Sequence, residues 1–515
     1  MKAALLLLLG SLALTAAAAD KPNFLFILCD DLGYGDLACL NPQGKIVTPN
    51  LDRLAREGVI FTDAHTSSSV CTPTRYGVMT GRYNWRSKLQ KGVLGGLSPR
   101  LIEQGRLTVA EMLRKQGYHT ACIGKWHLGM DWTLPPGKEI SELGIETREQ
   151  AFSADFSKPA SNGPNAVGFD YSFGISASLD MVPYAFIENG RVTAQPTEDR
   201  GLLMFHGDDK GRLSRQGPAA PGFTGYEVLP TLTDKAIAYF GERAADAKAG
   251  KPFFLYLPYA SPHTPILPNP EWRGKSGLNA YADFVMEQDH EVGRLLQALD
   301  QHGLSDNTFI VFTSDNGCSP SARYDELLAK GHNPSGQFRG HKADIYEGGH
   351  RVPFLVRWPA KVKGGQTTNQ LTCLTDFMAT AAAITGTKLP EDAAEDSFSF
   401  LPALTGASEG IVRRSVVHHS IGGFFAIREG KWKLALCPGS GGWSEPRPGK
   451  EARDAPPIQL FDLETDAGET RNVQADHQDI VSCLQMKLEE MVANGRSTPG
   501  AHQQNAVAVD LWKKK

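Results

Sequence analysis

Between residues 23 and 358 the chain returns repeatedly to a short, unbroken apolar run, and this limits its fold more than any other feature. The runs are residues 23–28 (NFLFIL), 118–123, 253–259 (FFLYLPY), 309–313 (FIVFT) and 354–358. Each is too short to be a core helix, and they are rich in aromatic or β-branched residues. Most do not alternate apolar with polar, so both faces of these strands must be covered. Helical patterns lie between them, at residues 51–58 with a glycine stop and at 281–302. Strands alternating with helices predict an α/β fold: a large, mostly parallel sheet flanked by helices. Pro258 argues that the third strand ends near it, because proline cannot donate to a ladder.

The pattern changes near residue 400. Residues 388–408 are rich in acidic residues, small residues and proline, and mark a boundary. Beyond it lie short strand patterns at 414–419, 424–428, 431–436 and 458–463, then a helical one at 479–494. This predicts a small antiparallel sheet plus a helix. Residues 437–457, rich in Gly, Pro and charge, read as a loop. The expected layout is a catalytic α/β domain over 20–400 and a C-terminal α+β subdomain over 401–515.

Residues 1–19 look like a targeting signal. Lys2 is followed by an apolar run too short to span a bilayer, then by Ala16 to Ala19, which offer a small-residue cleavage site. The expectation is export to the periplasm or medium after cleavage near Ala19, with no other membrane span. The chain has 515 residues, 41% hydrophobic and 21% charged, with formal net charge −4, so no general basic field draws nucleic acid. Eight cysteines include no C-x-x-C pair, which argues against zinc. Most read as small buried hydrophobes.

In open parallel sheets, ligands bind beyond the carboxyl ends of the strands. There this sequence places Cys29-Asp30-Asp31, Ser314-Asp315-Asn316, Lys125-Trp126-His127 and Ser261-Pro262-His263. Four strands thus end in polar, ionisable residues that converge on one sheet edge. Three carboxylates and an amide cannot sit together unneutralised. All are oxygen donors, which favours Ca²⁺ or Mg²⁺ over zinc or copper, and several carboxylates in loose geometry suit Ca²⁺.

A further motif is Cys71-Thr72-Pro73-Thr74-Arg75, followed by Thr80-Gly81-Arg82. It reads either as a buried cysteine at a helix start with proline in the first turn, or as a nucleophile at a helix N-terminus, where free N–H groups attract an anion. With Gly124-Lys125-Trp126-His127-Leu128-Gly129, Asp30-Asp31-Leu32-Gly33-Tyr34-Gly35-Asp36, Ser314-Asp315-Asn316-Gly317, Gly340-His341-Lys342 and Glu347-Gly348-Gly349, the chain resembles the type I sulfatases of the alkaline phosphatase superfamily over nearly its whole mature length. Leu460 to Glu464, with Glu469 and Asn472, extends the likeness.

The resemblance implies that a separate enzyme, a formylglycine-generating or anaerobic sulfatase-maturating enzyme, oxidises Cys71 to formylglycine. It implies that Asp30, Asp31, Asp315, Asn316 and the modified Cys71 bind one calcium. Arg75 and Lys125 then hold the formylglycine and the sulfate, and His127, His263 and Lys342 complete the site. A diol hydroxyl attacks sulfur, and His263, with Lys342 as alternative, protonates the leaving oxygen. His127 then drives release of sulfate from the covalent enzyme. The export signal and the polar candidate loops suggest a sulfated carbohydrate substrate, of a glycosaminoglycan or mucin sugar, over small aryl sulfates, with the sugar and carbon left open. Asp180 is a candidate sugar contact, and His332 and Arg339 are candidates to face the leaving group. Two alternatives stand: a phosphoryl-transfer enzyme of the same superfamily, and a non-catalytic carbohydrate-binding relative. Lys125, His127 and Lys342 favour sulfate over the first; the intact C-x-P-x-R opposes the second.

Overall fold

The computed structural model describes residues 21–207, 210–406 and 413–513. The predicted leader and the last two lysines lie outside them. A ten-stranded sheet forms the centre. Its strands in chain order are β1 (Asn23–Asp30), β2 (Val59–Phe61), β3 (His119–Lys125), β4 (Tyr171–Ile175), β5 (Ile187–Glu188), β6 (Arg191–Val192), β7 (Phe253–Pro262), β8 (Thr308–Ser314), β9 (Phe354–Arg357) and β10 (Gln366–Thr368). The spatial order is β10-β2-β9-β8-β1-β7-β3-β4-β5-β6. β8, β1, β7, β3 and β4 run parallel, whereas β9 is antiparallel to both neighbours and β5 and β6 are antiparallel at the other edge.

The helices used below are α1 (Pro49–Glu57), α2 (Cys71–Thr80), α3 (Val228–Lys248), α4 (Ala280–Gln301), α5 (Tyr324–Ala329), α6 (Glu347–His350), α7 (Phe377–Thr385) and α8 (Gln478–Ala493). α1, α3 and α4 pack together, as do α2 and α7. Alternate positions of the central strands show what one face packs against: Phe24, Phe26 and Phe254 all meet Phe377 of α7, with ring centroids 6.2, 4.6 and 5.9 Å apart. No described helix is long and apolar enough to cross a membrane.

β7 runs past Pro258, beyond the predicted end. Its pairing with β3 covers only Phe253 to Tyr256, and its register with β1 shifts after the Leu28–Pro258 pair. The missing N–H therefore falls where the ladder is already broken.

The C-terminal strands β11 (Ser415–His419), β12 (Phe425–Glu429), β13 (Trp432–Ala435) and β14 (Gln459–Asp462) form the predicted four-stranded antiparallel sheet. One core, including Val416, Ile427, Leu434, Leu484 and Leu488, lies between the sheet, α8 and the buried Tyr83 and Trp85. A second joins Ala426, Ala435 and Phe461 to Ile345 and Tyr346 of the larger part. The predicted boundary segment is bonded in place rather than loose: Asp396 accepts two hydrogen bonds from Arg86, at 2.8 and 2.9 Å. All eight cysteines are free, and six are buried.

Candidate functional site

The strand order places the chemistry. β1 is central, flanked by β8 and β7, with β3 next to β7, so their carboxyl ends lie side by side. Asp30 ends β1, and Asp31 follows with φ +68°, a left-handed conformation that turns the chain sharply. Asp315 and Asn316 follow β8. Lys125 ends β3, with His127 two residues on at φ +54°, and His263 follows β7. Cys71 is the first residue of α2 and is buried.

These side chains meet. Arg75, one turn into α2, donates from Nε (2.9 Å) and Nη2 (2.7 Å) to Asp315 Oδ2, and from Nη1 to the Lys125 carbonyl at 2.8 Å. Lys125 Nζ donates to Asp30, and Lys342 Nζ lies 2.6 Å from Asp31 Oδ1. Asn316 Nδ2 donates to Asp31 Oδ1 at 2.7 Å. His263 Nε2 is 3.8 Å from Asp31 Oδ2. One oxygen or sulfur from each of Asp30, Cys71 and Asp315 lies within 4.8 Å of the others.

The ionisations follow from burial and neighbours. Burial alone would raise Asp30, but the charges of Lys125, Arg75 and Lys342 overcome it and hold it well below the carboxylate range. Burial, with the charge of Asp30, pushes Asp315 up to about 6. Burial raises the Cys71 thiol, only partly offset by Lys125 and Lys342. Burial, then Lys125, holds His127 well below the usual histidine value, so it is neutral. Its Nε2 donates to the Leu94 carbonyl at 2.8 Å, which leaves the lone pair on Nδ1.

Asp30 Oδ1, Asp31 Oδ2 and Asn316 Oδ1 are buried oxygens with no hydrogen-bond partner. Orphaned acceptors are costly unless something positive meets them. The donor set is all oxygen beside Cys71, so it fits a hard divalent cation.

Three sequence candidates fall outside this group. His332 was expected to face a leaving group; instead it is fully buried, with Nε2 2.9 Å from Asp36 Oδ1 and Nδ1 accepting from the Lys45 N–H at 3.1 Å. Tyr281 donates both to Asp36 and to the Asp31 carbonyl, so His332 braces the loop behind Asp31. Arg339 donates to the Glu469 carbonyl at 2.8 Å and lies 4.0 Å over Tyr346, held against the C-terminal sheet. Asp180 is half-buried, with Oδ1 unpartnered, and makes no contact with the carboxylate cluster among those described. Leu94 and Tyr281 are supporting residues that sequence reasoning passes over: one acts through its backbone, and the other lies inside a helix pattern that reads as core.

A second group, His65, Glu347, His350 and His418, also brings ligand atoms within 4.8 Å. It is poorly built for a cation. Lys433 Nζ already sits 3.1 Å from Glu347 and 2.9 Å from His350. The rings of His350 and His418 stack 3.6 Å apart at 11°, so their in-plane lone pairs run parallel instead of converging.

The sulfatase family model matches residues 22–387. The chain is 34% identical to an N-acetylgalactosamine-6-O-sulfatase of Bacteroides thetaiotaomicron, over 92% of this chain and 93% of that one. It is 33% identical to human arylsulfatase A, over 90% and 86%. Among solved structures, a Bacteroides thetaiotaomicron protein described under the metabolism of multiple glycosaminoglycans superposes with TM-score 0.77 at 33% identity, covering 92% of this chain and 99% of that one. The chain belongs to the sulfatase family, enzymes that hydrolyse sulfuric esters.

Proposed function

We propose that this protein is an exported, calcium-dependent hydrolase of sulfate monoesters on glycosaminoglycan-type sugars, with N-acetylgalactosamine 6-sulfate the first substrate to test. The observation that carries the reading is the meeting of Cys71 with Asp30 and Asp315 where Lys125, Lys342, His127 and His263 also end. The likeness to an N-acetylgalactosamine-6-O-sulfatase supports the sugar.

Asp30, Asp31, Asp315 and Asn316 are the residues that would hold Ca²⁺, which supplies a fixed positive charge for oxygens that gain negative charge. A buried thiol with a raised pKa is a poor nucleophile. This supports oxidation of Cys71 to formylglycine by a maturating enzyme, which supplies two hydroxyls where a thiol supplies one group. Arg75 locks Asp315 in orientation and ties α2 to the end of β3. Lys125 and Lys342 bring positive charge to where the non-bridging oxygens of a sulfate ester would lie, and such charge counts for more in a buried site than in water.

The two histidines divide the proton work. His263 donates from Nδ1 to the Thr264 carbonyl at 2.5 Å and turns Nε2 towards Asp31, so a proton on Nε2 faces the cluster. It is the acid for the departing sugar oxygen. His127, with a free lone pair on Nδ1, is the base for the step that releases sulfate. Calcium-dependent release of sulfate from N-acetylgalactosamine 6-sulfate by matured enzyme, absent from Cys71→Ala, tests the proposal. A matured, calcium-loaded enzyme that hydrolyses no sulfate ester would overturn it.

A further inference from the structure

His341, the chain neighbour of Lys342, lines a groove of about 960 Å³, towards the upper end of the ~300–1,000 Å³ typical of small-ligand clefts. It runs between α5 and the loop after β13. Arg323, Tyr324, Glu326 and Leu328 line one wall, Trp443 and Arg447 the other, and His341 lies between them. Two large apolar side chains stand exposed in it, Trp443 at 40% and Leu328 at 48%.

The indole is exposed but its backbone is fixed. Asp344 accepts from Trp443 N at 2.7 Å, Ser444 N at 3.0 Å and Ser444 Oγ at 2.6 Å. Ile345 N donates to the Ser440 carbonyl at 2.7 Å. Gly442 lies so close that an added Cβ would sit 2.3 Å from the Ala343 carbonyl oxygen. Arg447 Nε donates to the Trp443 carbonyl at 3.0 Å. Lys342, which reaches Asp31, and Asp344, which holds Trp443, are thus two residues apart on one strip of chain. His341, next to Lys342, donates from Nδ1 to the Lys342 carbonyl at 3.0 Å and packs 5.6 Å from the Tyr324 ring.

An aromatic face on a fixed backbone, in a polar groove whose His341 is the chain neighbour of Lys342, has the chemistry to hold a pyranose ring. The apolar C–H face of a sugar lies on an indole, while its hydroxyls need both donors and acceptors. The groove has both, in Arg323 and Arg447 and in Asp325, Glu326 and Glu445. This mixed lining suits hydroxyls better than a second sulfate, which carboxylates would repel.

We infer that the groove is a subsite for the sugar ring joined to the sulfated one, with Trp443 as its platform. The inference rests on the glycan reading above, and it makes the enzyme select for chain length as well as for the sulfate. The test compares two probes, N-acetylgalactosamine 6-sulfate and a chondroitin 6-sulfate tetrasaccharide, on matured wild type, Trp443→Ala and Trp443→Phe. Wild type should show higher kcat/KM on the tetrasaccharide. In Trp443→Ala the tetrasaccharide-to-monosaccharide ratio should fall roughly three- to tenfold, mainly through KM, and Trp443→Phe should keep most of it. If both probes are turned over and the ratio is the same in wild type and Trp443→Ala, the subsite is wrong and the sulfatase reading stands. A loss equal on both probes means that Trp443 only supports the fold, which also overturns the subsite. If wild type turns over neither, the substrate reading fails and the subsite with it.

Discussion

His127 Nε2 lies 2.8 Å from the Leu94 carbonyl oxygen, and that contact decides which ring nitrogen can act. The carbonyl only accepts, so the proton is on Nε2, and the unpartnered, buried Nδ1 carries the lone pair that the proposed base needs.

Different roles for the two histidines predict different mutant behaviour. His263→Ala should damage hydrolysis of a sulfated sugar far more than that of nitrophenyl sulfate, by a contrast of roughly 10²–10⁴-fold, because nitrophenolate leaves without acid help. His127→Ala should slow both substrates alike and leave sulfate as a mass gain on the Cys71 peptide. Equal losses on both substrates in both variants, with nothing retained, would refute the division of roles.

Maturation should be visible by mass. In a host with the modifying enzyme, the Cys71 peptide should be lighter by about 18 Da, as SH and H give way to an aldehyde oxygen. Cys71→Ala should fold and be inactive. Full activity in a sample containing only the thiol would exclude this nucleophile.

Removal of the metal should abolish activity, and Ca²⁺ should restore it better than Zn²⁺, since the free donors are oxygens. Asp315→Ala should weaken calcium binding and also free Arg75, which gives Asp315 two hydrogen bonds. Isothermal titration with Ca²⁺ measures the first effect; undiminished affinity in Asp315→Ala would count against its place among the ligands.

The buried imidazoles predict acid sensitivity. Burial holds His65, His350 and His418 below the usual histidine value, and His419 at about 3. These groups are neutral in the fold and take up protons when unfolded, so their contribution is present above about pH 6.5 and lost as pH falls below it, at up to ~1.4 kcal/mol per group per pH unit. Glu469 and Glu287, raised by burial to about 7, and Asp289 and Asp315, raised to about 6, work the other way as the pH falls, so the histidine contribution is read from a difference between variants. Between pH 7 and pH 5, Tm should fall less, or rise more, in His418→Phe than in wild type. An identical pH dependence of Tm in the two proteins would show that His418 is not held neutral in the fold.

The cluster was legible in the sequence because each member lies at a strand end or in a short motif, and strand ends of a parallel sheet share an edge. His332 and Arg339 show where that reasoning stops. Being near Lys342 in sequence did not bring them to its partners, because Gly340 takes φ +79° and redirects the chain between them. The 21-residue α3 was not legible either: Pro230 and Gly241 interrupt its pattern, yet Pro230 falls in the first turn, where no N–H is needed. Residues 437–457 read correctly as a loop, but nothing local in them foretells that Asp344, about a hundred residues earlier, fixes their position.

Lys433 of β13 lies fully buried between Glu347 (3.1 Å) and Glu469 (2.8 Å). Glu347 belongs to the larger part of the molecule, where Arg351 meets its Oε2 at 3.0 Å, and the cation on its Oε1 comes from the last fifth of the chain. During synthesis, the catalytic body would therefore hold a buried carboxylate with only one of its oxygens met by a cation until the small sheet emerged and docked. The end of the chain thus acts as a checkpoint on the beginning: a truncated or prematurely released product would carry its catalytic motifs without the lysine that lets the body close around them.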